Sequence, residues 1–125
     1  MSVIRRTEAR RTETPNAAMT TLASPTQGGS ALAMWRVEMA AGGQGPLHVF
    51  DVEQVWTVLT GALSVELGED AFALAVGDTA VLPAGVARRI SAGEAVTALV
   101  AAPGGARVSV AGRSEEEPFV PGWIA

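Results

Sequence analysis

Hydrophobic and polar positions along this chain fall into short blocks rather than long amphipathic runs. Residues 31–39 (ALAMWRVEM) form one block, broken by Gly42, Gly43, Gln44, Gly45 and Pro46. Residues 54–60 (QVWTVLT) form the next and stop at Gly61. In the following block Leu63, Val65 and Leu67 alternate with Ala62, Ser64 and Glu66, the period-2 signature of a half-buried strand. Gly68-Glu69-Asp70 reads as a turn, residues 71–76 (AFALAV) as a strand, and Gly77-Asp78 as its end. TAVL, VARRIS, AVTALVAA and ARVSVA continue the series, separated by Pro83-Ala84-Gly85, Gly93-Glu94 and Pro103-Gly104-Gly105. Turn signals recurring about every 8–12 residues predict an all-β sandwich or barrel with little helix. Residues 18–23 (AMTTLA) add a candidate strand ending at Ser24-Pro25, and no internal repeat is present. Phe119, Val120, Trp123 and Ile124 make the tail apolar enough to dock on its own domain or on a second copy.

Composition narrows the chemistry. The 125 residues suit one domain. They contain no Cys, Tyr or Lys, and a single His. Thiol nucleophiles, disulfides, cysteine-held metals, a Schiff-base lysine and a tyrosine acid/base are therefore excluded. Carboxylates, Arg, Ser/Thr, amides and His48 remain. A net charge of −4 argues against a nucleic-acid partner. The exception is an arm carrying Arg5, Arg6, Arg10 and Arg11, read as a solvated or partner-facing strand. No apolar run reaches membrane-spanning length, and no apolar stretch follows the N-terminal charges, so a cytoplasmic location is expected. Dinucleotide, P-loop and serine-elbow motifs are absent.

Two stretches carry a specific spacing. Gly42, five residues, His48, one residue, Phe50, three residues, Gln54, six residues and Gly61 form the first. Gly77, five residues, Pro83-Ala84-Gly85, two residues and Arg88 form the second. This pair resembles the two motifs of the cupin superfamily, and the likeness covers about residues 35–110. It implies a double-stranded β-helix, or jelly roll, over a single domain of residues 1–125, with an arm at 1–30 and a tail at 112–125. Metal-binding cupins use two histidines and a carboxylate in the first motif and a histidine in the second. Here those positions hold His48, Phe50, Gln54 and Arg88, so one of the four usual ligands survives. A ring without a donor atom and a fixed cation argue against a metal. No cofactor is expected, and were a metal present its ligands would be His48, Glu53 and Gln54, with Asp51 nearby.

Without a metal, the same positions describe a pocket. Alternation puts Gln54, Trp56 and Val58 on one face, and Arg88 and Ile90 together, with Arg89 pointing away. Phe50, Trp56 and Ile90 would be walls; His48, Gln54, Arg88 and Glu53 would be polar handles. His48 reads as a general acid/base, or as an idle hydrogen-bonded residue. Arg88 reads as an anion stabiliser, or as half of a salt bridge to Glu53, Glu38 or Asp51. Gln54 would meet a ligand carbonyl or hydroxyl, or satisfy Arg88 or the backbone. Trp35 and Trp56 read first as core, and Asn16, Thr20 and Thr21 as a strand over the pocket. Three functions follow. The first is a metal-independent isomerase, epimerase, dehydratase or cyclase for a small anionic or carbonyl-bearing metabolite, with His48 as base and Arg88 as anion stabiliser. The second is a non-catalytic small-molecule binding protein, and the third a dioxygenase with an unusual metal site. The Arg- and Ala-rich, Lys-free composition suits a high-GC bacterial genome and specialised metabolism. The resemblance also implies a homodimer, with the arm and the acidic run at 115–117 as complementary charges.

Overall fold

The computed structural model describes residues 1–111 and 117–125; the tail's 112–116, including Glu115 and Glu116 of the acidic run, fall outside the described residues. The chain opens with a single 3-10 turn, Arg6–Glu8. Eleven strands follow: β1 Arg10–Glu13, β2 Ala18–Ala23, β3 Leu32–Met39, β4 His48–Phe50, β5 Gln54–Thr60 and β6 Leu63–Leu67, then β7 Asp70–Leu74, β8 Thr79–Leu82, β9 Arg88–Ser91, β10 Val96–Pro103 and β11 Val108–Val110. Each expected strand is present. Strand β1 falls in the charged arm, where a solvated or partner-facing strand was expected, and β4 lies where the sequence showed only loop signals. No helix among the described residues is long and apolar enough to cross a membrane.

The strands form two antiparallel sheets. One has six strands in the order β1-β2-β3-β10-β5-β8, the other five in the order β11-β4-β9-β6-β7. Non-consecutive neighbours in both sheets are what a jelly roll requires. Alternation sets the inner faces. Ala33, Trp35, Val37 and Met39 of β3, Trp56 and Val58 of β5, and Ala98 and Val100 of β10 are buried from one sheet. Phe50, Leu63, Val65, Ile90 and Val108 are buried from the other. All belong to one cluster. On the outer faces, Leu32, Met34, Leu59 and Val81 are exposed beside an Arg36–Glu38 pair at 3.2 Å on the six-stranded sheet, and Glu66 and Arg89 pair at 3.9 Å on the five-stranded one. Gly61, at φ +77°, closes the β5–β6 turn; a Cβ there would sit 2.1 Å from the Ala95 carbonyl oxygen, so glycine is required.

The two ends of the described chain meet. Arg10, on edge strand β1, donates through Nη2 to Ser24 Oγ at 3.2 Å and to the Ala125 carbonyl at 3.4 Å. Ser24 Oγ also donates to that carbonyl at 2.9 Å, and Thr21 Oγ1 donates to the Trp123 carbonyl at 2.7 Å. Ile124 is fully buried. The tail therefore docks on its own domain. Arg10 is an internal fastening rather than a solvated charge, while Arg11 keeps the exposed role, 3.3 Å from Glu13. Charges on an edge strand also discourage unwanted strand pairing.

Candidate functional site

Between the sheets lies a cavity of about 390 Å³. Strand β3 supplies Trp35, Val37 and Met39 to its wall, β5 supplies Gln54 and Trp56, and β9 supplies Ile90. Strand β4 contributes His48 and Phe50, and β11 contributes Val108 and Val110. Thr14–Ala17 of the β1–β2 turn, Pro46, and Phe119 and Trp123 of the tail complete the enclosure. The wall is mainly aromatic and aliphatic, with a few polar groups, as small-molecule sites usually are.

His48 is half-buried at the start of β4. Its Nδ1 lies 2.8 Å from the Pro46 carbonyl oxygen. A carbonyl only accepts, so Nδ1 carries the proton and Nε2 keeps the lone pair. The ring meets Phe50 edge-on, with centroids 5.4 Å apart and planes at 86°. Burial holds the imidazole pKa below its ordinary value; the bond to Pro46 opposes that shift, and Arg88 adds a smaller lowering. The ring is thus neutral at neutral pH, with its lone pair on Nε2.

Gln54 is 1% exposed. Its Oε1 accepts from the Trp56 indole N–H at 3.0 Å. Its Nε2 is buried without a partner among the described residues. An unmet buried donor costs about 1–3 kcal/mol.

Arg88 departs from both sequence readings. It is fully buried, yet it is not part of the cavity wall. Its Nη2 donates to the Pro83 carbonyl at 2.6 Å and to Val86 at 3.0 Å, and Nε donates to Val86 at 3.2 Å. Its guanidinium carbon lies 6.0 Å from the centroid of the Phe50 ring, within cation–π range. No carboxylate pairs with it among the described residues. The long side chain leaves the inner face and is captured by the β8–β9 loop, with Phe50 as its apolar cover. Burial lowers its pKa, but a guanidinium stays charged.

The other expected site residues divide. Phe50, Trp56 and Ile90 stand in the wall, and Trp35 is both core and wall. Glu53 is exposed, one residue out of phase with Gln54, and does not reach the cavity. Asn16 lines the cavity; Thr20 and Thr21 do not, and Thr21 is spent on the tail. Sequence reasoning missed Val37 and Met39, although they share the β3 face of Trp35. It also missed Val108, Val110, Phe119 and Trp123, whose wall positions depend on the β11 and tail contacts.

The cavity residues do not fit a resident divalent cation. Phe50 has no donor atom, Gln54 Oε1 is taken by an indole, and the position opposite His48, behind the wall, holds the cation Arg88. Asp51 Oδ1 accepts from the Arg107 backbone N–H at 2.8 Å. Among the described residues no three His, Cys, Asp or Glu side chains come together as a metal-holding group.

The sequence model of the Cupin domain matches residues 35–102. No curated protein matches the chain. Among solved structures, salicylate 1,2-dioxygenase from Pseudoaminobacter salicylatoxidans superposes with a TM-score of 0.72 at 21% identity, covering 83% of this chain and 31% of that one. This chain thus spans about a third of the dioxygenase's length. The polyketide cyclase RemF from Streptomyces resistomycificus gives a TM-score of 0.70 at 21% identity, covering 82% and 79%. A conserved protein of unknown function from Streptococcus pyogenes gives 0.66 at 21%, covering 82% and 95%. At such identities the likeness is one of fold.

Proposed function

The chain belongs to the cupin family, and on that premise we propose that its barrel binds a small, largely apolar, carbonyl-bearing metabolite and works on it by metal-independent acid/base chemistry. The observation that carries this reading is the His48 ring in the wall of an aromatic chamber, with Nδ1 tied to Pro46 and Nε2 left as the basic nitrogen. A neutral imidazole so placed takes a proton from carbon beside a carbonyl and returns it, the step shared by isomerases, epimerases, dehydratases and cyclases. The wall has no Arg or Lys among the described residues, which favours the carbonyl-bearing ligand over the anionic one. Arg88 then serves the site by backing Phe50 and by adding a small push toward the neutral His48 ring that burial chiefly maintains, not by touching substrate. The fold likeness to a polyketide cyclase supports a ring-bearing substrate and a place in specialised metabolism. The donor set speaks against the dioxygenase reading.

The test is deuterium exchange at the carbon beside the carbonyl of α-tetralone, a bicyclic ketone, followed by NMR in heavy water. The wild-type protein is expected to accelerate exchange and His48→Ala to lose that acceleration. Binding of the ketone without acceleration in the wild type would leave the non-catalytic binding protein as the function. The expected homodimer remains part of the proposal. Exposed Leu32, Met34, Leu59 and Val81 form the apolar outer face a second copy would cover. A monomer in sedimentation equilibrium removes it.

A further inference from the structure

We infer that Gln54 is the specificity-determining residue of the cavity, and that Trp56 fixes it as a hydrogen-bond donor, so that the occupant must bring an acceptor oxygen to the buried end of the chamber. This rests on the cavity being the ligand site, and it adds which way round that ligand is polar.

The argument starts from strand geometry. Gln54 and Trp56 are successive inward positions of β5, so their side chains are neighbours on one face. An amide is chemically two-sided and flips easily, but an indole N–H can only donate. The 3.0 Å contact from Trp56 Nε1 therefore pins Oε1 toward the indole. Flipping the amide would set N–H against N–H. Nε2 is left in a side chain that is 1% exposed, lines the cavity and offers that nitrogen no partner among the described residues. Native proteins seldom leave such a donor unmet. An acceptor supplied by a ligand would meet it.

The donor also complements the base. When the C–H bond beside a ligand carbonyl breaks, the proton goes to His48 Nε2 and the electron pair moves onto the carbonyl oxygen. That oxygen becomes an enolate and accepts the Gln54 N–H more strongly than the ketone did. Returning the proton to the same or a conjugated carbon restores the neutral imidazole, and no oxidant or metal enters the balance. A ligand suited to both groups is a planar, mostly apolar ketone with an acidic C–H. A hydrocarbon of the same shape would fill the walls and leave Gln54 unmet.

The experiment is equilibrium dialysis of the full chain against α-tetralone and tetralin, which share a ring skeleton and differ in the carbonyl. Wild type is expected to bind the ketone roughly tenfold more tightly than the hydrocarbon, the value of one neutral hydrogen bond. Gln54→Met, similar in volume and without a donor, should bring the ratio to about one while tetralin affinity stays within about threefold. Trp56→Phe keeps Gln54 but releases its amide, so the ratio should fall there too; this variant carries the test if Gln54→Met does not fold. Equal affinities in wild type, or a preference that survives both substitutions, overturns the inference and leaves the proposed function standing. Failure of both probes to bind wild type overturns the proposed function and this inference with it.

Discussion

His48 and Arg88 sit directly opposite each other across β4 and β9, and they have opposite fates. Register gives both side chains the same inward face. On one side is an open apolar chamber, and the imidazole stands in its wall with one nitrogen free. On the other is a closed compartment under the β8–β9 loop, where the carbonyls of Pro83 and Val86 take up Nε and Nη2 of the guanidinium and Nη1 is left without a partner among the described residues. The difference lies in what surrounds each group. A short ring tied back to Pro46 stays at the cavity wall, whereas a long flexible cation extends until it finds oxygen. Two titratable groups at matched positions thus divide into one standing in the cavity wall and one bound into the β8–β9 loop.

The sharpest way to break this comparison is Arg88→Met. It removes the donors to Pro83 and Val86, and urea unfolding should show a loss of about 1–3 kcal/mol. A loss below about 1 kcal/mol would mean that the guanidinium does not hold the loop. Next comes His48→Gln, which should slow the ketone exchange by about a hundredfold while changing stability by less than about 1 kcal/mol. A large stability loss there would make His48 structural and erase the contrast.

A pH series sharpens it further. The ring's folded pKa lies below the ordinary 6.5, so the unfolded chain binds the proton first. Stability from this group is full above about pH 6.5 and is lost as pH falls through the lower folded-state value. Wild type should lose stability relative to His48→Gln as pH falls, since only wild type carries the titrating ring, and exchange activity should rise through that lower value and then level off. Activity appearing only above pH 6.5 would contradict the neutral-ring assignment. The smallest effect expected is that of Phe119→Ala. This residue is 41% exposed at the cavity's edge, so tetralin affinity should drop only a few-fold.

Much of this was legible in the sequence. Period-2 runs bounded by glycine turns located nine of the eleven strands, and the spacing of Gly42, His48, Gln54, Gly61, Gly77 and Gly85 indicated the barrel. Strand β4 escaped because its three residues, His48–Phe50, are too few for any periodicity. Strand β1 was legible as a charged strand but not bounded by any hydrophobic period, because its four residues are all polar, as suits a charged edge. Alternation correctly put Arg88 inside. It carried no information on where a guanidinium several bonds away would end, because that depends on carbonyls of a loop distant in the register. The tail's share of the wall was hidden for a similar reason. An apolar tail can be read as docked, but Trp123 reaches the cavity because Thr21 holds its own carbonyl and Ser24 and Arg10 hold that of Ala125.

The three tryptophans of this chain, Trp35, Trp56 and Trp123, all stand in the wall of one chamber, and there is no tyrosine. The protein's ultraviolet emission is therefore almost wholly the chamber's own light. Any molecule that enters will shift or quench it, and one that binds elsewhere will leave it nearly unchanged. The molecule carries a built-in optical gauge of occupancy, readable in the unmodified chain, against which a library of candidate metabolites can be screened before the reaction is known.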